Sequence, residues 1–401
     1  MKPKQIMLIA GEPSGDLLGA ELVQALRTEL TAREMCYSTD SQPLHTGLEP
    51  QFFGGGGPRM AAAGMKLAFD LTAHSIIGIP NLKNYLDARE RFHQLLHLAL
   101  ERLPDVIIGI DYNYFNLKFA RAIRHHTIRS SHLFHDWRPK IVKYISPQVW
   151  ASREGRAYDI ARDYDLLLSI FPFEKEWYAR RVPKLRVEFV GHPMVDRFES
   201  SKFQVPSSKG GASEILLLPG SRMKELQRHL PVMLDALKLI RQKLPQVKAR
   251  MVLPDEDLAA QAKALGAPPE IEIQIGNLSE ALAMADLALA STGTVTMECA
   301  FFGVPAVTMY KTSWATYEIG KRIVKVKSLT MPNLLADEEV FPEFIQNAAT
   351  AENISRAALE LLQNDSRRQS LKAKLAKIVA SLGGPGASRR AAVAIANLLA
   401  P

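Results

Sequence analysis

The sequence predicts an α/β protein built from two Rossmann-like domains that face a cleft, and three observations carry this expectation. Short apolar runs alternate with longer amphipathic ones, as in "IMLIAG" before "DLLGAELVQALRTEL" and "DVIIGID" before "NLKFARAIRHH". Such alternation is the mark of βαβ units and a parallel sheet. After about Val190 a polar stretch without periodicity, "DRFESSKFQVPSSKGGAS", interrupts the pattern, which restarts at Glu214 with "EILLLPGS". At 401 residues and 47% apolar content the chain is long enough to bury two cores.

In chain order, "MKPKQIMLIAGEPSGD" has basic residues before an apolar run too short for a signal segment, so it reads as a first strand. "DVIIGID", "IVKYIS", "DLLLSIF" and "RVEFVG" follow as strands of a first domain over residues 1–190. Residues 191–212 read as the linker, and residues 213–401 as the second domain. Its strands are "EILLLPGS", "VKARMVLP", "EIEIQIG", "ADLALAST" and "VPAVTMY", with a long helix through "VMLDALKLIRQKL". The chain closes with helices in "RAALELLQN", "SLKAKLAKIVASLG" and "RRAAVAIANLLA". A Gly-Gly-Pro-Gly break at 383–386 frees the last of them either to pack back on the first domain or to exchange with a second subunit in a homodimer. Residues 35–51 and 125–140 look inserted; the second holds four of the ten histidines at spacings that match no metal-ligand pattern.

Lys and Arg number 50 against 42 acids, a net charge of +8. The excess is diffuse, so it reads as a mildly basic surface suited to anionic lipid or a phosphorylated substrate, and no nucleic-acid partner is assigned. Cys36 and Cys299 lie far apart in dissimilar contexts, against a disulfide framework or zinc site and in favour of a reducing cytoplasm. No stretch approaches the roughly 20 apolar residues that span a bilayer, so membrane contact is expected to be peripheral. From about Leu82, "LKNYLDARERFHQLLHLAL" mixes apolar and basic positions at helical spacing; core packing is its default, and an exposed face would suit acidic headgroups.

The chemistry concentrates where strands hand over to helices. After Leu218, the residues Gly220, Ser221 and Arg222 offer unpaired amides, a hydroxyl and a guanidinium at a helix start, where the dipole favours anions. Alone this equals an ordinary cap. In "ALASTGTVTMECAFFGVPAV" the strand is expected to stop at Ala290, with Ser291, Thr292, Gly293 and Thr294 opening a second such helix. Glu298 follows within its first turns, placed to accept hydrogen bonds from a ribose diol. Two helix starts and that Glu together favour a bound nucleotide diphosphate over separate caps. In the first half, Ser14, Gly15 and Asp16 repeat the logic, and glycines 54–57 suit either a flexible loop over a ligand or an ordinary one. "DVIIGID" ends in Asp111, at the carboxyl end of a strand, as general base or as a structural cap. Asp255 and Asp257 flank Glu256 at a helix start and read as capping rather than metal binding.

Taken together, "AGEPSGDLLGAELVQAL", "GGGGPRMAAAGM", "YISPQVWASREGR", "IFPFEKEWY", "FVGHPMVD", "LLLPGSRMKEL", "STGTVTMECAFFGVPAVTMYKTSWATYEIGKRIVKV" and "LTMPNLLADEEVFPEFIQ" span nearly the whole chain. In these stretches the sequence resembles the lipid-A-disaccharide synthase family of B-type (GT-B) glycosyltransferases. The resemblance implies an inverting transfer without metal or cofactor. The donor would be UDP-2,3-diacylglucosamine, and the acceptor the 6-hydroxyl of 2,3-diacylglucosamine 1-phosphate. The products would be the β-1,6 disaccharide 1-phosphate and UDP, formed at the inner face of the bacterial inner membrane. It also implies Asp111 as catalytic base, Arg222 as phosphate-binding arginine, Glu298 near the donor ribose, Asn333 as a residue needed for activity, and His192 at the hinge. Where the family reads Pro-Asp-Phe-Asn this chain has Asn113, Tyr114, Phe115 and Asn116, and its Trp-Ala-Trp-Arg is here Trp150, Ala151, Ser152 and Arg153. Both departures flank the acceptor side. The alternatives are another GT-B enzyme, such as a UDP-N-acetylglucosamine 2-epimerase, and a catalytically silent nucleotide-sugar-binding protein.

Overall fold

A computed structural model describes residues 2–37, 49–72, 82–130, 137–199 and 213–400. The chain divides into two compact units, Met1–Asp196 with Leu382–Pro401, and Arg197–Ser381. Much of both insertions noted above, residues 38–48 and 131–136, and most of the linker, 200–212, lie outside the described residues.

In the first unit the strands are β1 (Gln5–Ala10), β2 (Gln51–Gly56), β3 (Lys66–Asp70), β4 (Val106–Ile110), β5 (Lys140–Tyr144), β6 (Leu166–Ser169) and β7 (Arg186–Phe189). They pair in parallel in the order β3-β2-β1-β4-β5-β6-β7. The central strands are apolar on both faces because helices cover both; all of "VIIGI" in β4 is buried. The order reverses between β1 and β4, so a crevice opens beyond their carboxyl ends, where open α/β sheets take ligands. The turns after these two strands carry Ser14, Gly15 and Asp16, and Asp111.

The second unit repeats the winding with β8 (Glu214–Leu218), β9 (Lys248–Leu253), β10 (Glu272–Ile275), β11 (Leu287–Ser291), β12 (Ala306–Tyr310) and β13 (Glu343–Ile345). Its parallel order is β10-β9-β8-β11-β12-β13, with the reversal between β8 and β11. The long helix Met223–Lys243 covers one face, burying Leu226, Leu230, Met233, Leu237 and Ile240 at helical spacing.

Two expectations are corrected. Glycines 54–56 form the buried end of β2 rather than a flexible loop, because the sheet leaves no room for a side chain: a Cβ at Gly54, whose φ is 139°, would lie 2.1 Å from the Leu8 carbonyl oxygen. The strand expected to stop at Ala290 runs on to Ser291, whose residue pairs with Met309 of β12.

After the break at 383–386 the last helix, Ala387–Leu399, packs against the helix Pro13–Tyr37 in the first unit of its own chain. Ala391, Ala392 and Ile395 are fully buried, and Arg33 reaches Asn397 at 2.8 Å. The re-entry is fastened by Asp196, which accepts from the Gly386 and Ala387 amides, and by Arg390, which donates to the Val190 carbonyl at 2.7 Å. No described helix is long and apolar enough to cross a membrane.

Candidate active site

The second unit holds a cavity of about 490 Å³ at its strand-order reversal. Gly220, Ser221 and Arg222 line it from the β8 side, and Ser291, Thr292, Gly293, Thr294 and Glu298 from the β11 side. The two helix starts proposed from sequence thus converge on one space. Gly220 (φ 122°) and Gly293 (φ 144°) sit in backbone conformations that side chains rarely adopt, so glycine is needed where each strand turns into its helix. At the second start, the helix Thr294–Phe301 has Gly293 as its cap without a side-chain acceptor; the Thr296 amide bonds the Gly293 carbonyl at 3.1 Å, and the Thr294 and Val295 amides ahead of it suit an anion.

Sequence reasoning missed two neighbours. Glu225, in the first turn of its helix, accepts from the Ser221 amide at 3.3 Å and from Arg222 at 3.2 Å. A carboxylate therefore occupies the donors that an incoming phosphate would use. His229, fully buried, has Nδ1 2.7 Å from the Pro219 carbonyl and accepts from the Lys311 amide through Nε2 at 3.0 Å, so Nδ1 carries the proton. It ties the loop after β8 to the loop after β12, and burial pushes its pKa down. A His three residues after Leu226 and four before Met233 was the available signal, and it equally fits a core residue.

Glu298 is half-buried in the cavity wall. Burial pushes its carboxyl up to about 7, while Arg197 pulls it back down. Asn333 does not line this cavity. Its amide donates to the Phe341 carbonyl at 2.8 Å and Glu343 at 2.9 Å, and its oxygen accepts from the Val340 and Phe341 amides. It knits the loop between the helix Met331–Ala336 and β13, a structural task for "MPNLLA".

In the first unit Asp111 and Tyr112 follow β4 with φ of 41° and 43°, two consecutive side-chain-bearing residues in the left-handed region. Such backbone costs of order 1 kcal/mol or more per residue and persists only where neighbours impose it. Here Asp111 donates its amide to the Tyr144 carbonyl at 3.0 Å, and its own carbonyl accepts from Asn116 Nδ2 at 2.9 Å and from Lys143 Nζ. The Tyr112 ring lies on Gly11, where a Cβ would come within 2.5 Å of it. The Asp111 carboxylate is half-buried and accepts from Asn113 at 3.3 Å.

Asn116, expected in the ligand cleft, is buried, and its Nδ2 also reaches the Ile9 and Ile110 carbonyls at 3.4 and 3.3 Å. It staples β1 to the Asp111 turn. Asp16 does not cap its own helix, which begins at Pro13; buried, it accepts from the Gly57, Arg59 and Met60 amides at 2.8 to 3.0 Å. The short helix Pro58–Ala62 is therefore capped from across the sheet. Ser14 is exposed and Gly15 buried at the first helix start. His192 is partly buried, accepting from the Met194 amide at 3.2 Å, with its backbone donating to Leu382 where the chain re-enters this unit.

Beside β5 and β6, Glu174 is completely buried and accepts from Trp150 Nε1 at 3.0 Å, and burial pushes its carboxyl up to about 7. This holds the "SPQVWAS" loop against the helix Pro172–Arg181. Tyr114 is 65% exposed with Lys118 over its ring at 4.4 Å.

The family model for lipid-A-disaccharide synthetase matches residues 6–397. The chain belongs to the lipid-A-disaccharide synthase family. Among relatives carrying that name, the protein of Geobacter sulfurreducens is 34% identical over 409 residues, covering 98% of this chain and 97% of the relative. That of Coxiella burnetii is 33% identical over 411 residues, covering both chains completely. Similar solved structures are a UDP complex of MnaA from S. aureus (TM-score 0.64, 13% identity, 99% and 97% of the two chains) and the glycotransferase of kitacinnamycin (TM-score 0.57, 18% identity, 100% of both). At those identities they show the fold alone, a GT-B fold with two parallel-sheet domains. Family membership makes the protein a glycosyltransferase of lipid A biosynthesis.

Proposed function

We propose that the protein transfers 2,3-diacylglucosamine from UDP-2,3-diacylglucosamine to the 6-hydroxyl of 2,3-diacylglucosamine 1-phosphate, with inversion. The reading rests on the 490 Å³ cavity, where two helix starts, Arg222 and Glu298 meet in a chain of this family. Asp111 takes the proton of the acceptor hydroxyl as its oxygen attacks the anomeric carbon. The bond to the diphosphate breaks on the opposite face, its electron pair leaving with UDP. Amides at Gly220, Ser221, Gly293 and Thr294, with Arg222, stabilise the charge that grows on the departing diphosphate. Glu225 yields Arg222 and the Ser221 amide to the phosphates when the donor enters. Glu298 accepts hydrogen bonds from the ribose diol. His192, near the end of the first unit, serves the hinge, and Asn333 acts by shaping its loop.

Incubation with labelled UDP-2,3-diacylglucosamine and 2,3-diacylglucosamine 1-phosphate is expected to yield labelled disaccharide 1-phosphate and one UDP per transfer. Conversion of UDP-N-acetylglucosamine to its manno epimer, with no disaccharide, would instead make the chain an epimerase; binding of UDP without turnover would make it a silent binder.

The Glu298 carboxyl makes a pH prediction. Its folded value is raised from 4.5 to about 7, so its ionisation costs nothing below the unfolded value, and the cost grows as pH rises through that window. Glu298→Gln is therefore expected to match the wild type in unligated stability near pH 4.5 and exceed it at pH 8 by up to roughly 3 kcal/mol. UDP should bind the wild type more tightly as pH passes 7, and bind the variant about tenfold more weakly at pH 8. Thermal unfolding and calorimetric titration at the two pH values check both.

We also place the protein peripherally on an anionic membrane at the cytoplasmic face. Both substrates carry acyl chains, the net charge is +8, and large apolar side chains stand exposed: Leu86 at 51%, Trp314 at 76% and Ile319 at 58%. The last two lie on the helix Trp314–Ile323, which also carries the exposed Lys321 and Arg322 and is followed by the exposed Lys325. Replacing Trp314 and Ile319 by Ser should shift the protein from anionic vesicles to the supernatant; unchanged partitioning argues against this surface.

A further inference from the structure

Lys143 is fully buried in β5, between Gly109 of β4 and Leu167 of β6 in register. Its ammonium makes one hydrogen bond among the described residues, to the main-chain carbonyl of Asp111. We propose that Lys143 is a positioning residue for the reaction, holding the left-handed turn of Asp111 and Tyr112 so that the Asp111 carboxylate faces its substrate. This deepens the proposed function and rests on Asp111 being the base.

The Asp111 carbonyl is held from two sides, by Lys143 and by Asn116 Nδ2, and the strained backbone begins at that residue. An amine is a costly way to fill a core site: a methionine fills similar volume without desolvating a charge. Burial pushes this amine down to about 7, and the Asp111 carboxylate is the charged group that draws it back up. The elements packed around it bring Asp111 from the end of β4, the neutral Asn116 from the helix Asn113–Ser130, and the apolar Leu167 from β6. A group that burdens the fold, and whose one hydrogen bond among the described residues goes to the turn carrying the base, is placed for that turn.

Its pKa is depressed from 10.5, so the folded state penalises the charged amine, and at pH 7 the unfolded chain holds its proton fully. Lys143→Met lifts that penalty. The variant is expected to melt at the same temperature as the wild type or higher at pH 7, with donor KM and UDP affinity unchanged and kcat reduced about 10- to 100-fold, as misplacement of a reacting group by an ångström does. Full kcat in Lys143→Met overturns the proposal. So does a lowered melting temperature or failure to fold, which would make the residue structural. Asp111→Asn, assayed alongside, separates the two claims: if it stays active the base assignment has failed, and if it is inactive while Lys143→Met is fully active only the present inference has.

Discussion

Asp111→Asn is expected to lower kcat by roughly 10³- to 10⁴-fold while leaving UDP affinity unchanged. A positioned general base contributes about 10²- to 10⁴-fold, and the upper part of that range applies because a primary hydroxyl is a poor nucleophile until its proton is taken. Asparagine keeps the shape of aspartate and its hydrogen bond to Asn113, so the left-handed turn should survive, held by Lys143 and Asn116 through the main-chain carbonyl. The cavity proposed for the nucleotide is lined wholly by residues of the other compact unit, which is why binding and turnover should separate. Single-turnover assays with isothermal titration of UDP measure the two; near wild-type kcat in the variant would remove Asp111 from its role.

Arg222→Ala should reduce kcat/KM for the donor by about 10²- to 10³-fold, the range observed when one preorganised donor to a developing oxyanion is removed. The guanidinium is exposed and paired with Glu225 at 3.2 Å, so its deletion should barely change stability: an exposed pair contributes about 0–1 kcal/mol. The same pairing predicts more. Without Arg222, Glu225 still accepts from the Ser221 amide, leaving an uncompensated carboxylate where the diphosphate should bind. Arg222→Ala with Glu225→Gln is therefore expected to recover part of the lost affinity for UDP, a non-additivity that a double-mutant cycle reads directly. Additive losses would show that Glu225 does not compete with the phosphates.

Some of the architecture was legible because its causes are local. "DVIIGID" and "EILLLPGS" could only be buried parallel strands, since both faces are apolar, and the turns following them had to lie at carboxyl ends. β2 was not legible as a strand: its glycines carry no β-forming signal, and they are required by the Leu8 backbone at Gly54 and by Leu71 and Leu95 at Gly55, which are remote in sequence. Lys143 and Glu174 also escaped notice. A lysine in "IVKYIS" and a glutamate in "FPFEKEWY" look like surface charges until the sheet and the helix Pro172–Arg181 bury them.

The sequence by itself determined the two rounds of βαβ winding, the helix starts at Gly220 and Gly293, and the residue types gathered there, because period, glycine placement and turn chemistry act over a few residues. Only the tertiary structure decided which of those residues meet. It brought the β8 and β11 turns to one cavity, turned Asp16, Asn116 and Asn333 inward as braces, and returned the last helix to the first unit. Those outcomes depend on strand order and on which buried polar groups find partners, and a carboxamide or carboxylate taken from water goes wherever its hydrogen bonds can be satisfied.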